Sequence, residues 1–296
     1  MSASFGLAPG AVATRSSELP APRGVSRRPD FWMLTGLAIL ALFVAIGIAA
    51  PLLAPHNPAT QNLVFILKPP SIAHPFGTDY LGRDLLSRLI WGTRISLVTL
   101  GLVVGLSSAI GATVGLVAGV SRGWLDELLM RLTDLFLMVP SFVLALALAG
   151  IRGPGLESIL LALVISGWPA HARLVRSVVV TNRAQPYVDA AVELGASRRH
   201  IVLRHLAPAA VGPMLVLTSL EAGHTLMQVA ALSFLGVGIQ PPNPEWGTML
   251  ADAQRYFLIA PHLIVFPGLA ILVVTLGLNL LAERYASRLS RRLRNL

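Results

Sequence analysis

The sequence has no cysteine, a single lysine and few charges of any kind. Without cysteine it can hold neither a disulfide framework nor a thiolate metal centre. Its one lysine, Lys68, stands before Pro69 and Pro70. A Walker A loop needs lysine between glycine and serine or threonine, so the chain carries no P-loop ATPase site of its own. Charged residues fill 12% of the 296 positions. Soluble domains carry roughly 25%. Hydrophobic residues fill 54%, and mean hydropathy is +0.71. The missing charge points to lipid as the main solvent.

What charge there is leans one way. The chain has 23 basic and 14 acidic residues, a net charge of +9 and a pI near 11.2. Nucleic-acid binding and the positive-inside bias of a membrane protein both account for this. Drawing the spans separates them.

A hydrocarbon core ~30 Å thick takes about 20 apolar residues in a helix. Six stretches fit: 31–53, 95–120, 132–149, 158–180, 209–235 and 257–281. Pro140 interrupts the third, and Gly167, Pro169 and His171 lie in the fourth. Pro261 and Pro267 lie in the outer half of the sixth. Such residues are tolerated where neighbouring helices cover the freed backbone. The first apolar run, about 20 residues, exceeds the ~7–15 of a signal peptide and reads as an uncleaved anchor. The expected fold is an all-α membrane protein with six transmembrane helices.

With both ends inside, only Lys68, Arg83, Arg88, Arg94, Arg152 and Arg255 fall outside, and the other 17 basic residues fall inside. That asymmetry follows the positive-inside rule. It predicts a multi-pass protein of the bacterial inner (plasma) membrane with cytoplasmic N- and C-termini. The arginines are spread over tails and loops with no aromatic-interleaved patch. The lipid membrane is therefore a partner and nucleic acid is not. Residues 1–30, rich in Ser, Pro, Gly and Ala, read as a disordered cytoplasmic tail. Residues 31–90 form an N-terminal transmembrane helix plus periplasmic segment. Residues 91–285 form the main transmembrane domain, and 286–296 a basic cytoplasmic tail.

The longest cytoplasmic connection, 181–208, has helical periodicity. Tyr187, Ala190, Ala191 and Leu194 share one face. Pro186 suits the first helical position, Gly195 stops the helix, and Ser197 caps a second short one. Pro208 marks the start of span five. Helices this short need a partner surface. Ala190, Ala191, Gly195 and Ala196 permit close backbone approach, and Arg198, Arg199 and His200 supply charge at the edge. Docking onto a separate protein and lying flat on the membrane interface both fit these residues.

Asp189-Ala190-Ala191, three residues, Gly195 and then Pro208 resemble the EAA loop of binding-protein-dependent ABC importer permeases. Asp189 stands for glutamate, and His205 and Ala207 for isoleucine and leucine. Residues 74–97, HPFGTDYLGRDLLSRLIWGTRISL, resemble the segment after the first span in C-type permeases of the oligopeptide, dipeptide and nickel importers. Residues 231–253, ALSFLGVGIQPPNPEWGTMLADA, resemble their signature at the outer end of span five. Together these stretches cover about residues 31–285. One departure is Val229, where the family commonly has an acidic residue four positions before the serine of LSFLG. The resemblance implies a type I ABC importer permease fold. It makes the loop, with Asp189, Ala190, Ala191, Gly195, Ala196, Arg198 and Pro208, the coupling element for an ATPase. It implies a homologous B-type permease as heterodimer partner, two ATP-binding subunits and an extracytoplasmic substrate-binding protein. The subunit itself is no enzyme and holds no cofactor; ATP and magnesium belong to the ATPase subunits. Peptides are the expected cargo, with nickel, haem or glutathione as alternatives.

Two further groups are candidates. Asp79, Arg83, Asp84 and Arg88, with Trp246, form either a periplasmic gate or a structural clip. Within them Asp84 and Arg88 have the i, i+4 order of a helical ion pair, and Trp246 and Tyr256 suit an outer interfacial belt. Glu221 and His224 share one face of span five. Charges inside a span are costly and are usually functional or paired. A hydrogen-bonded pair near the translocation path is expected, and no metal site. His171 and Asp134 are the groups that folding could add. A proton-coupled secondary transporter using Glu221 and His224 is the competing class.

Overall fold

The computed structural model describes residues 31–121 and 123–294, with side chains through 287. The expected 1–30 tail, Arg122 and the side chains of the C-terminal tail lie outside the described residues. Eleven α-helices follow in order among the described residues. They are α1 (Phe31–Ile48), α2 (Ala50–Leu53), α3 (Leu85–Val120), α4 (Trp124–Met138), α5 (Ser141–Arg152) and α6 (Leu156–Arg183). Next come α7 (Pro186–Glu193), α8 (Arg198–Ile201), α9 (Ala207–Phe234), α10 (Trp246–Ala253) and α11 (His262–Arg294). Five helical stretches are long and apolar enough to cross a membrane alone, and α4 with α5 makes a sixth if the bent pair counts as one.

Small residues set the central contact, between α3 and α6. Gly111, Gly115 and Gly119 recur every fourth position along α3. A Cβ on Gly115 would lie 2.4 Å from the Ala172 carbonyl oxygen, and one on Gly119 2.7 Å from Val179 Cβ. Close helix approach through such glycines is how apolar helices associate where burial from water offers no drive. The pairing order, Gly111 with His171 and Gly119 with Val179, makes α3 and α6 parallel. The chain must therefore return from the end of α3 to the opposite end of the molecule before α6 begins.

That return is the expected third span, and it is not one straight helix. α4 and α5 meet at 82°. Val139 is extended (φ −88°, ψ 115°), as residues before proline tend to be, and Pro140 has no N–H to continue the ladder. The second expected span also differs: its helix begins at Leu85 and runs 36 residues, about 54 Å at 1.5 Å per residue. Before α9, Val202–Leu206 wind as a π-helix. Pro208, which cannot donate, follows two residues after Leu206.

Three apolar clusters lie along the helices. Near the start of α3, Leu85, Leu226, Trp246, Met249 and Val274 pack together. Val103, Ala145, Ile159, Leu163, Val229 and Leu232 form the middle. At the end of α3 are Val175, Val179, Val188, Ile201 and Leu206. Trp246 is 0% exposed. Its ring meets the edge of Phe43 at 5.9 Å, and its indole N–H donates to the Leu89 carbonyl at 3.4 Å. It is a core residue, not the interfacial anchor expected from its place near an outer loop. The short helix α10 folds back over the bundle and carries it inward.

Candidate functional site

The 181–208 segment is built by local stereochemistry. Gln185 is extended, and Pro186 follows in the first turn of α7. At the far end Leu194 N–H donates to Ala190 O at 3.0 Å, and Ala196 N–H to Ala191 O at 3.0 Å. Gly195 sits at φ +81°, a left-handed value that glycine adopts without a Cβ penalty. Ser197 then caps α8, its hydroxyl accepting from His200 N–H at 3.3 Å.

One residue of α7 turns inward. Val188 is buried with Val175, Val179, Ile201 and Leu206. Tyr187, Val192 and Leu194 are 47%, 55% and 89% exposed. Ala190 is exposed and Ala191 half-buried. Most of the stripe expected to meet a partner thus faces away from the molecule's own core. Asp189 lies on the wall of a cleft of about 730 Å³ shared with Trp124, Arg183, Val188, Ala196 and Arg198. Its carboxylate makes no ion pair or hydrogen bond among the described residues.

Arg198 is not simply an edge charge. Its guanidinium donates to Val120 O at 3.1 Å. Arg183, which carried no role in the sequence, donates to Gly119 O at 3.0 Å and Val120 O at 3.2 Å. Both cations sit at the carbonyl end of α3, where partial negative charge accumulates. The exposed segment is thereby tied to the longest helix that reaches the opposite end. Of the remaining loop residues, Arg199 and His200 are exposed, and Pro208 lies in the first turn of α9.

Higher in the bundle α3, α5, α6 and α9 enclose a cavity of about 240 Å³ lined by Ser107, Ser141, Ser166, His171, Glu221, His224 and Gln228, among others. His171 Nδ1 lies 3.3 Å from Glu221 Oε2, and Nε2 lies 3.1 Å from Thr218 Oγ1. Gln228 donates to Ser141 Oγ at 3.2 Å. Glu221 therefore pairs across to α6, and His224, exposed, lines the same cavity. Asp134 does not join them; it pairs with Arg173 at 2.5 Å. Val229 is wholly buried among apolar neighbours, where a carboxylate would find no partner.

At the other end of α3, Asp79, Arg83, Asp84 and Arg88 are each 5% exposed or less. Arg83 Nε donates to Asp79 Oδ2 at 2.6 Å, and Arg88 Nε lies 3.4 Å from the same oxygen. Asp252 of α10 faces both guanidinium groups, at 3.7 and 3.8 Å. Burial pushes the Asp252 carboxyl above its usual range, against the pull of Arg88 and Arg83. The expected Asp84–Arg88 helical pair is absent. Asp84 is the N-cap of α3, accepting from Ser87 N–H at 2.8 Å, and so faces away from Arg88. Sequence reading also missed Glu245, the N-cap of α10, whose carboxylate accepts from Thr248 N–H at 3.0 Å and Ser96 Oγ at 3.2 Å.

Comparison with known proteins gives consistent matches. The family described as binding-protein-dependent transport system inner membrane component matches residues 111–295. The N-terminal TM domain of oligopeptide transport permease C matches 32–70. A dipeptide transport system permease protein of Alkalihalophilus pseudofirmus is 39% identical over 250 residues, 84% of this chain and 82% of that protein. A di/tripeptide transport system permease protein of Pseudomonas aeruginosa is 40% identical over 285 residues, 90% and 92% of the two chains. A glutathione transport system permease protein of Pectobacterium atrosepticum is 39% identical over 261 residues, 88% and 86%. Among solved structures, a chain of the inward-facing MetNI methionine ABC transporter superposes with a TM-score of 0.52 at 17% identity. That match covers 68% of this chain and 94% of the other, a likeness of fold alone.

Proposed function

The chain belongs to the family of binding-protein-dependent transport system inner membrane components, and from that premise we propose that it is the C-type half of a heterodimeric importer of short peptides. It is a multi-pass inner-membrane permease of the peptide and glutathione class of ABC importers, a subunit that makes no bond and breaks none. Its family works with an ATPase and a substrate-binding protein. In this reading a homologous permease completes the translocation path and two ATPases sit beneath the 181–208 segment. The binding protein docks at the opposite end, and both termini are cytoplasmic.

The observation that carries the docking assignment is the exposed face of α7. Tyr187 and Val192, with Leu194 at the C-cap, are turned outward on a helix of only eight residues, too short to be stable without further contacts. ATP-driven closure of the ATPases would move this segment, and Arg198 and Arg183 would pass the movement to α3. Transport then follows from one two-state element biased from both sides of the membrane. The cavity holding Glu221, His171 and His224 is the polar stretch of the path, and its carboxylate suits the ammonium end of a peptide.

Leu194→Asp tests the docking reading. Leu194 is 89% exposed, so membrane insertion is expected to be unchanged while ATPase co-purification and transport are lost. Gly195→Pro should do the same, because proline cannot adopt φ near +81°. If both variants keep a bound ATPase and transport normally, α7 is not the docking element. Cargo is read separately, by mass spectrometry of what the cognate binding protein holds when purified; dipeptide supports the reading, and glutathione alone moves the chain to the other branch.

A further inference from the structure

We propose that His56, His74 and Asp84 form a divalent transition-metal site of the zinc class, at the end of the molecule opposite the docking segment. The three come from different places. His56 follows α2, His74 precedes α3, and Asp84 is the first cap of α3. Their donor atoms all lie within 4.8 Å of one another. His74 Nδ1 is 2.9 Å from Asp84 Oδ1 and His56 Nδ1 is 3.8 Å from Asp84 Oδ2.

Those separations suit an ion. Zinc sits about 2.0–2.1 Å from imidazole nitrogen and about 2.0–2.2 Å from carboxylate oxygen, so tetrahedral donors stand roughly 3.3 Å apart. The two separations from Asp84 bracket that value, and all three donors already lie within 4.8 Å of one another. Two imidazoles and a carboxylate are also the donor set that zinc takes where one position stays open to water. The His56 side chain is 45% exposed and lines a cleft of about 740 Å³ with Trp91, Arg94 and Pro242, which leaves that position reachable.

The backbone around the site is already fixed. Asp84 Oδ2 accepts from Ser87 N–H and from Ser87 Oγ at 2.8 and 2.7 Å. The Ser87 hydroxyl in turn accepts from His56 N–H at 3.0 Å. His74 N–H donates to Ser71 Oγ at 3.1 Å. Such outer contacts orient ligands and raise affinity. A simple hydrogen-bonded triad accounts for the scene less well. His74 and Asp84 satisfy each other, but His56 Nδ1 at 3.8 Å is beyond hydrogen-bond reach. Its ring lies 4.9 Å from that of His74, with both Nδ1 atoms turned to one carboxylate. An ion would take the proton's place on His74 Nδ1 and give His56 a bond. It would also staple the exit from the first span to the start of α3.

The test uses the full-length permease, purified without a polyhistidine tag and reconstituted in nanodiscs. Cobalt(II) as probe is expected to bind one per chain with the visible absorption of a tetrahedral site, and zinc to displace it. His56→Gln, His74→Gln and Asp84→Asn should each weaken binding more than about tenfold. The double variant His200→Gln/His205→Gln, made in another close histidine pair, should bind as wild type. Zinc should raise the thermal midpoint of the wild type and not that of His56→Gln, whose exposed side chain makes a folding defect a poor explanation. Wild-type protein that binds no cobalt overturns the proposal. So does binding that survives His56→Gln, or that disappears only in the His200/His205 variant.

Discussion

The two ends of α3 hold the molecule together in opposite ways. At its start, Asp79, Arg83 and Arg88 are buried, interlocked and faced by Asp252 of α10. At its end, the α7–α8 segment is held inward by Val188, Ile201 and Leu206 and by one arginine on a carbonyl. Much of its apolar surface faces out. In the first region the arginines find their carboxylates, Asp79 and Asp252, within this chain. The second has the look of an unfinished interface, with more apolar side chain exposed than its few anchors justify. A buried charge cluster paired within the chain should fail by unfolding when changed, and a segment that awaits a partner should fail by losing the partner.

The largest expected effect lies at the buried end. Asp79→Ala leaves Arg83 and Arg88 buried with only Asp252 opposite them. Removing one member of a buried ion pair typically costs about 3–5 kcal/mol. Arg83 Nη2 and Arg88 Nη1 already lack hydrogen-bond partners among the described residues, so little remains to compensate. Thermal melts of purified protein should show a drop of many degrees and poor yield. A near-normal melt would mean that the cluster is not the clip its burial suggests, and would remove half of the comparison.

A second, smaller effect appears on changing pH. Burial pushes the Glu245 carboxyl above its usual 4.5. A carboxyl raised on folding takes up a proton as the chain folds. Its contribution to stability is fully present below the unfolded value and is lost as pH rises through the folded one. The wild-type melting midpoint should therefore fall as pH rises above the usual carboxyl value of 4.5. Glu245→Gln keeps one oxygen for Thr248 N–H and should flatten that slope. An identical slope in the variant would assign the pH dependence elsewhere.

How much of this was legible in the chain depended on distance along it. Runs of apolar residues announce spans, and Pro186, Gly195 and Ser197 announce a helix, its stop and a new cap, because each acts on its own backbone. The bend at Pro140 was visible as a break but not as an 82° turn, since the angle is set by where α3 and α6 force the chain to go. Asp84 looked paired with Arg88 by the i, i+4 rule. The rule assumes that both residues lie within a helix, and Asp84 is the cap before one. Trp246 looked interfacial because nothing local says that α10 folds inward. His171 joined Glu221, and His56 joined His74 and Asp84, through contacts between separate elements. No periodicity or spacing reports such contacts.

The smallest energetic change sharpens the comparison most. Arg198→Ala removes one hydrogen bond from an exposed side chain to Val120 O. A charge at a helix carbonyl end is worth about 0.3–1 kcal/mol, so the melting midpoint should hardly move. Tyr187, Val192 and Leu194 stay in place, so ATPase co-purification should persist. If the exposed end acts on the buried one through α3, transport should nevertheless fall, with ATP hydrolysis continuing. Arg198→Lys should restore part of it, because an ammonium can still reach one carbonyl though it lacks the guanidinium fork. Transport unchanged in Arg198→Ala would leave docking intact and place the mechanical link elsewhere. Arg183 is then the next group to test, since from α6 it holds the same Val120 carbonyl and that of Gly119.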